Sequence, residues 1–292
     1  NKDISLGIDL TNIKMTNNIN ALERAVPDYE LEIDLSSTRS KLEKKYLETI
    51  YKEVNIILKL VQQSNYIISR SLEEEVLVNY ASLLGIMKEN LTGLAGRKAQ
   101  SLEVQHVVDQ LPNKYAVTDK ADGERYFLII YRGCVFLISD LLRVKNTGIV
   151  LNKNQSVFNN TILDGELIFL KQHNKYLFVA FDCLYDSNED IRQIASFLER
   201  LSHLENVINN CFVDKDHKKH KSYDYKTDKF NTDAIIKFHG DEIKKYFDDL
   251  MHDLGKEKFL LVRKKYFIPA LGGKDNEIFK YSKLMWEKYT ED

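Results

Sequence analysis

A chain of 292 residues has room for about two domains at roughly 150 residues each. Hydrophobic residues make up 43% and charged residues 29%, which excludes a chain disordered by composition. Lys and Arg total 42 against 44 Asp and Glu, a formal charge of -2, so any case for nucleic acid must rest on local patches. Cys134, Cys183 and Cys211 are too scattered for a disulfide framework or a Cys-x-x-Cys zinc site, which fits a reduced, intracellular setting. No run reaches the roughly 18–20 apolar residues that span a bilayer, and the N-terminus lacks a signal peptide's order. A non-secreted chain without a membrane partner is expected.

Residues 1–35 predict two short strands, SLGIDL and YELEIDL, around the polar turn NNIN. A two-stranded sheet cannot stand alone, so this segment is expected to close a domain begun upstream. Helices follow. Ser40 and Glu43 form a candidate capping box ahead of Leu42, Tyr46, Ile50, Val54, Ile57, Leu58 and Val61 at helical spacing. Ser71 and Glu74 open a second helix, and Val104, Val107, Val108 and Leu111 mark a third. From Tyr115 the period changes to short β-branched and aromatic runs, YAVT, RYFLIIY, CVFLIS, TILDGELIFL and YLFVAFDCLY, as in a mainly antiparallel sheet. Residues 191–208 and 232–254 predict helices, separated by a polar, lysine-rich loop, and KFLLVRKKYFI predicts a further strand. The mixed order of elements places the chain in the α+β class.

The strongest chemical signal is Lys120-Ala121-Asp122-Gly123-Glu124-Arg125, between YAVTD and RYFLIIY. A lysine held near cations or a metal can lose its proton and attack phosphorus. Gly123 permits a close backbone approach, and Arg125 can hold a phosphate or planar polar group bidentately. The bland alternative is a surface turn with solvated charges. Its company raises the functional reading: Leu163-Asp164-Gly165-Glu166-Leu167 lies inside a predicted strand, and residues 176–186 form another that contains Phe181-Asp182. Tyr29-Glu30-Leu31-Glu32 places Glu30 and Glu32 on one face of a strand, where they could share a divalent cation or simply line an exposed edge. His217 and His220, among lysines, are most simply part of a solvated loop. Cys183 is most simply a core residue, as are Tyr126, Phe127, Tyr131 and Phe136 on the inner face of a sheet.

The ordered set resembles the lysine nucleotidyltransferases, which include mRNA capping guanylyltransferases and polynucleotide ligases. Lys120 matches the nucleophile of their first motif, Glu166 the third-motif glutamate, and Phe181-Asp182 falls in the aromatic strand that follows it. GRKAQSL, residues 96–102, sits where capping enzymes carry a Pro-Val-Ser type segment, with Ala99 in place of proline. YAVTDKADGERYFLII and TILDGEL look most similar to the capping enzymes of large cytoplasmic DNA viruses. Two departures stand out. Asp140 occupies the neighbourhood where relatives carry an arginine, with Arg143 as a substitute, and no D-G-apolar strand with a following lysine pair occurs before Asp292.

The resemblance implies a nucleotidyltransferase core of mainly antiparallel sheets with flanking helices, preceded by a helical segment and a remnant of a β-tunnel domain. The expected division is residues 1–36 as the end of an RNA triphosphatase, 37–93 as a helical connector, and 94–292 as an incomplete guanylyltransferase domain. It implies transfer of GMP from GTP through Lys120 to the 5' end of RNA. Asp122, Arg125, Glu166, Phe181, Asp182 and Arg143 are the implied nucleotide-binding residues. Mg2+ or Mn2+ is the implied metal, with Glu166 beside the nucleotide and Glu30 and Glu32 in the triphosphatase remnant as candidate ligands. A second capping-enzyme subunit is a further implied partner, and a cytoplasmic viral site the implied location. The competing expectations are an ATP-dependent polynucleotide ligase and a non-catalytic fragment that binds a partner or RNA.

Overall fold

The computed structural model describes residues 4–37, 44–98, 100, 101, 103, 105, 115–213, 223–225, 231–256, 259–271 and 277–290. The candidate box at Ser40 and Glu43, the apolar face at Val104 to Leu111, and His217 and His220 lie outside them. Two compact units are present, residues 1–63 and 64–292.

In the first unit, β1 (Ile4–Ile13) and β2 (Asp28–Ser37) pair antiparallel, with Asp9 opposite Glu32 and Thr11 opposite Glu30. Strand alternation puts Gly7, Asp9, Thr11, Glu30, Glu32 and Asp34 on one face and Leu6, Ile8, Leu10, Leu31 and Ile33 on the other. Helix α1 spans Lys44–Gln62.

The second unit opens with α2 (Arg70–Leu83). Its N-cap is Ser69, whose hydroxyl accepts from the Leu72 N–H at 3.2 Å; Ser71, the expected start, lies inside the first turn and bonds the Ser69 hydroxyl. A short strand, β3 (Tyr115–Val117), leads to the main sheet. Strands β4 (Glu124–Tyr131), β5 (Cys134–Ser139), β6 (Val144–Val150), β7 (Thr161–Leu170), β8 (Lys175–Asp186) and β10 (Leu260–Lys264) lie in the order β10-β8-β7-β4-β5-β6. The short β9 (Glu189–Asp190) pairs with β8. Every pairing in this sheet is antiparallel except β10 with β8. Helix α3 (Phe197–Cys211) starts at the Ser196 cap, six residues later than the expected helix, because residues 189–194 are spent on β9 and a turn. Then come α4 (Thr232–Lys256), β11 (Ile268–Ala270), which pairs with β3, and α5 (Glu277–Thr290).

Both faces of the sheet are covered. Tyr126, Leu128 and Ile130 of β4 pack with Leu163, Phe178 and the α3 residues Leu201, Leu204 and Val207. Phe127 and Ile129 pack on the opposite face with Ile162 and the α2 residues Val76, Leu77 and Tyr80. Two-sided burial explains the unbroken apolar run FLIIY, and it corrects the expectation that Tyr126 and Phe127 share an inner face. A third cluster joins α4 and α5, through Ile243, Tyr281 and Met285, to β11. The mixed α+β architecture expected from the sequence is present.

Candidate active site

Lys120 lies in the irregular segment between β3 and β4, with its side chain exposed. The segment turns onto the sheet at Gly123, where a Cβ would sit 2.8 Å from the Leu167 carbonyl oxygen. Such contact with backbone leaves no room for a side chain, so the glycine brings the lysine loop flat against β7. Ala121 packs on a cluster of Leu177, Val179, Leu250, Leu254 and Leu261.

The ladder then sets the next residues. Arg125 on β4 stands opposite Glu166 on β7, and Phe127 opposite Asp164, so Arg125, Asp164 and Glu166 share one face of the sheet. Arg125 donates from Nε to Asp164 Oδ1 at 2.9 Å, and from Nη2 to Asp164 Oδ2 at 2.5 Å and to the Arg97 carbonyl at 2.8 Å. Burial pushes the Asp164 carboxyl up to about 6, against the pull of the Arg125 guanidinium. Gly96 lies over this pair, where a Cβ would meet Arg125 Nη2 at 2.5 Å and Asp164 Oδ2 at 2.8 Å. The GRK segment therefore owes its glycine to the arginine clamp. Gly165 is required for a similar reason: its Cβ would lie 2.5 Å from the Phe178 ring.

Glu166 is half-buried, and its Oε2 is buried with no hydrogen-bond partner among the described residues. Burial raises its carboxyl; Lys265 and Lys120 pull it down, while Asp119 and Asp122 oppose them. Those four charges therefore act on it. Lys265, immediately after β10, is 7% exposed; its N–H donates to the Ala180 carbonyl at 2.8 Å and its Nζ lies 3.8 Å from Asp119 Oδ2. Lys265 and Asp119 were not singled out from the sequence. The available signal was the basic run Arg263-Lys264-Lys265 that follows the apolar start of the expected strand KFLLVRKKYFI.

The remaining expected residues fall in different surroundings. Phe181 is the extra residue of a β-bulge, because Asp164 pairs with Asp182 while Gly165 pairs with Ala180. A bulge re-aims its side chain, and Phe181 is partly exposed between buried neighbours. Asp182 faces Arg200 of α3, receiving Nε at 2.9 Å and Nη2 at 3.1 Å, and it accepts from the Cys183 N–H at 2.9 Å. Both charges are buried, so this is a closed pair that ties β8 to α3. Arg143 closes the β5–β6 turn through its backbone and exposes its side chain. From the same turn, Asp140 is one of the charges that raise the Arg125 guanidinium, after Asp164. Asp122 is exposed. Glu30 and Glu32 belong to the first unit and Glu166 to the second. Among the described residues, no group of three or more His, Cys, Asp or Glu side chains is placed to hold a metal ion.

Comparison with known proteins gives a consistent family. A probable mRNA-capping enzyme of Acanthamoeba polyphaga mimivirus is 30% identical over 289 residues, 97% of this chain and 23% of that protein. The chain thus spans about a quarter of that relative's length. Among solved structures, a mycobacterial DNA ligase D complexed with ATP and MES shares 19% identity over 34% of this chain and 38% of its own, with a TM-score of 0.26. The family model for the mRNA capping enzyme catalytic domain matches residues 67–283, which run from just before α2 into the first half of α5 and include Lys120, Arg125, Glu166 and Lys265. The chain belongs to the mRNA capping enzyme family, in the region of its catalytic domain.

Proposed function

We propose that residues 94–292 act as an mRNA guanylyltransferase, that 37–93 support that domain, and that 1–36 are the closing part of an RNA triphosphatase. The observation that carries the activity is the exposed Lys120, whose charge acts on Glu166, a residue whose buried Oε2 has no hydrogen-bond partner among the described residues, in a chain of the capping family.

The deprotonated Lys120 amine attacks the α-phosphorus of GTP. An N–P bond forms as the bond to the β-phosphate oxygen breaks, pyrophosphate leaves, and Lys120 carries GMP as a phosphoramidate. The terminal oxygen of a 5'-diphosphate RNA end then attacks the same phosphorus, releasing the lysine and forming the capped end. Arg125, fixed through Nε and Nη2, presents Nη1 to the nucleotide. Glu166 Oε2 accepts from a ribose hydroxyl or meets a metal, Lys265 adds a second cation beside it, and Phe181 lines the base pocket. Asp122 orients the lysine loop, Asp182 holds β8 through Arg200, and Arg143 provides a charge at the rim.

Mg2+ or Mn2+, if bound there, would offset the charge that builds on the phosphates. Asp122 and Glu166 are hard oxygen donors suited to it, and such ions commonly take one or two carboxylates and complete their shell with phosphate oxygens and water. Glu30 and Glu32 are the corresponding candidates in the hairpin. A second capping subunit and a cytoplasmic viral site complete the proposal; among the described residues no helix is long and apolar enough to cross a membrane.

The test is incubation with α-labelled GTP or ATP and a divalent metal, followed by denaturing electrophoresis. Label from GTP that resists denaturation and disappears in Lys120→Ala is expected. Label from ATP alone would instead make the chain ligase-like, and undiminished labelling of Lys120→Ala would remove the nucleophile assignment.

A further inference from the structure

Lys120 is exposed on a loop, and a four-carbon stem gives an amine many positions. Its precision must come from the backbone on either side. On one side Ala121 packs into the leucine cluster between β8 and α4. On the other side stands Asp119, which the reaction outlined above does not use. Its side chain is only 15% exposed, and two other segments approach it. Lys265, after β10, places Nζ 3.8 Å from Oδ2. The hydroxyl of Tyr289, near the end of α5, is raised by burial first and then by the nearby Asp119 carboxylate. The Thr118 hydroxyl lies 3.2 Å from Oδ1 and 2.7 Å from the Tyr266 carbonyl oxygen; its single proton favours the shorter contact, which ties this loop to the chain just after Lys265.

We propose that Asp119 is a positioning residue for Lys120, clamped between Lys265 and Tyr289 so that α5 and the end of β10 fix the backbone from which the nucleophile projects. The inference rests on Lys120 being the nucleophile. It gives α5 a part in the chemistry: Tyr289 stacks edge-on against Phe247 of α4, with ring centroids 4.7 Å apart, so the clamp is anchored in the helical layer. It also explains a charge arrangement. Lys265 acts on both Asp119 and Glu166, and the Asp119 carboxylate engages that buried ammonium while Glu166 Oε2 has no hydrogen-bond partner among the described residues.

A positioning role separates reaction from binding, because small displacements of a nucleophile cost rate. The experiment is single-turnover lysyl-nucleotide formation with labelled GTP, alongside equilibrium GTP binding, for the wild-type chain, Asp119→Ala and Tyr289→Phe. Asp119→Ala is expected to slow adduct formation by about 10- to 100-fold. Tyr289→Phe, which keeps its ring packing, should slow it by about 3- to 10-fold, and in both variants GTP affinity should change less than about threefold. Wild-type rates in Tyr289→Phe would overturn the proposal even if Asp119→Ala failed to fold. Affinity falling in step with rate would overturn it too, since that marks ordinary binding. Labelled wild type with unaffected variants sinks the clamp alone, whereas an unlabelled wild type sinks the assignment of Lys120 and the clamp with it.

Discussion

Two strand pairs in this molecule carry nearly the same text and have opposite fates. The β1–β2 hairpin contains Glu30-Leu31-Glu32-Ile33-Asp34, and β7 contains Leu163-Asp164-Gly165-Glu166-Leu167. Both alternate acidic and apolar residues. In the hairpin Leu10 is 70% and Leu31 41% exposed, and the acidic face is exposed as well. In β7, Asp164 is 1% exposed and closed onto Arg125, and Leu163 is fully buried. Alternation therefore describes a strand with two faces, while its surroundings decide what an acid there can do. A solvated carboxylate gains little from a partner; a buried one must have a partner or be reserved for a ligand. Asp164 and Glu166 are the two outcomes, two residues apart.

The sharpest way to break this contrast is to remove one acid from each pair. Asp164→Ala leaves Arg125 without its bidentate partner in a half-buried setting and is expected to cost about 3 kcal/mol, with loss of covalent labelling. Glu30→Ala and Glu32→Ala should each change stability by less than about 0.5 kcal/mol. Urea unfolding of the three variants measures the difference. Equal costs would show that burial does not separate the strands.

A second test uses pH. Residues 1–63 contain no histidine, whereas the second unit buries His239 between the Tyr225 and Tyr266 hydroxyls, each 2.8 Å from a ring nitrogen. Burial lowers the His239 imidazole to about 4, against a small upward pull from Glu242. Above pH about 6.5 the ring is neutral folded or unfolded, so it adds no pH dependence. Between that value and about 4 the unfolded chain takes up a proton that the folded site refuses. The His239 contribution to stability should therefore fall as pH drops through this window, by up to about 3 kcal/mol, while Asp164, raised to about 6, works in the opposite direction because the folded chain takes up its proton first. His239→Gln should be less destabilised than wild type by acidification from pH about 6.5 to about 4, and an identical pH dependence in that variant would show that other groups set it.

How far this contrast could be seen in advance follows from range. TILDGELIFL was legible as β7, end to end, because its apolar run is bounded by turns and the strand that follows it, β8, is also its neighbour in the sheet. Lys120, Gly123, Arg125 and Glu166 stood out as two short motifs, but the pairing that sets Arg125 opposite Glu166 is not local, because β7 returns past β5 and β6 to lie beside β4. Lys265 was not legible, because β10 reaches β8 in parallel after two helices, and no local pattern specifies that crossover. The bulge at Phe181 depends on a register shift that alternation does not encode. Asp182 was legible as part of the right strand, but its engagement with Arg200 depends on where α3 docks.

The smallest expected effect comes from the glycines of the two pairs, which isolate packing from charge. A Cβ at Gly165 would sit 2.5 Å from the Phe178 ring and 2.7 Å from the Val179 carbonyl oxygen, while one at Gly7 would meet nothing nearer than the Asp34 Cβ at 3.8 Å. Gly165→Ala should therefore cost about 1–3 kcal/mol through forced movement of β8. Gly7→Ala should be neutral or stabilising by a few tenths of a kcal/mol, because it restricts the unfolded chain without meeting a neighbour. The two variants differ from wild type by the same single methyl group, so any difference in their urea midpoints reports the second strand's proximity. The displaced carbonyl at Val179 adjoins Ala180, which holds the Lys265 N–H, so Gly165→Ala should also slow labelling whereas Gly7→Ala should not. A Gly165→Ala chain that unfolds early but labels at the wild-type rate would show that β8 can shift without moving Lys265.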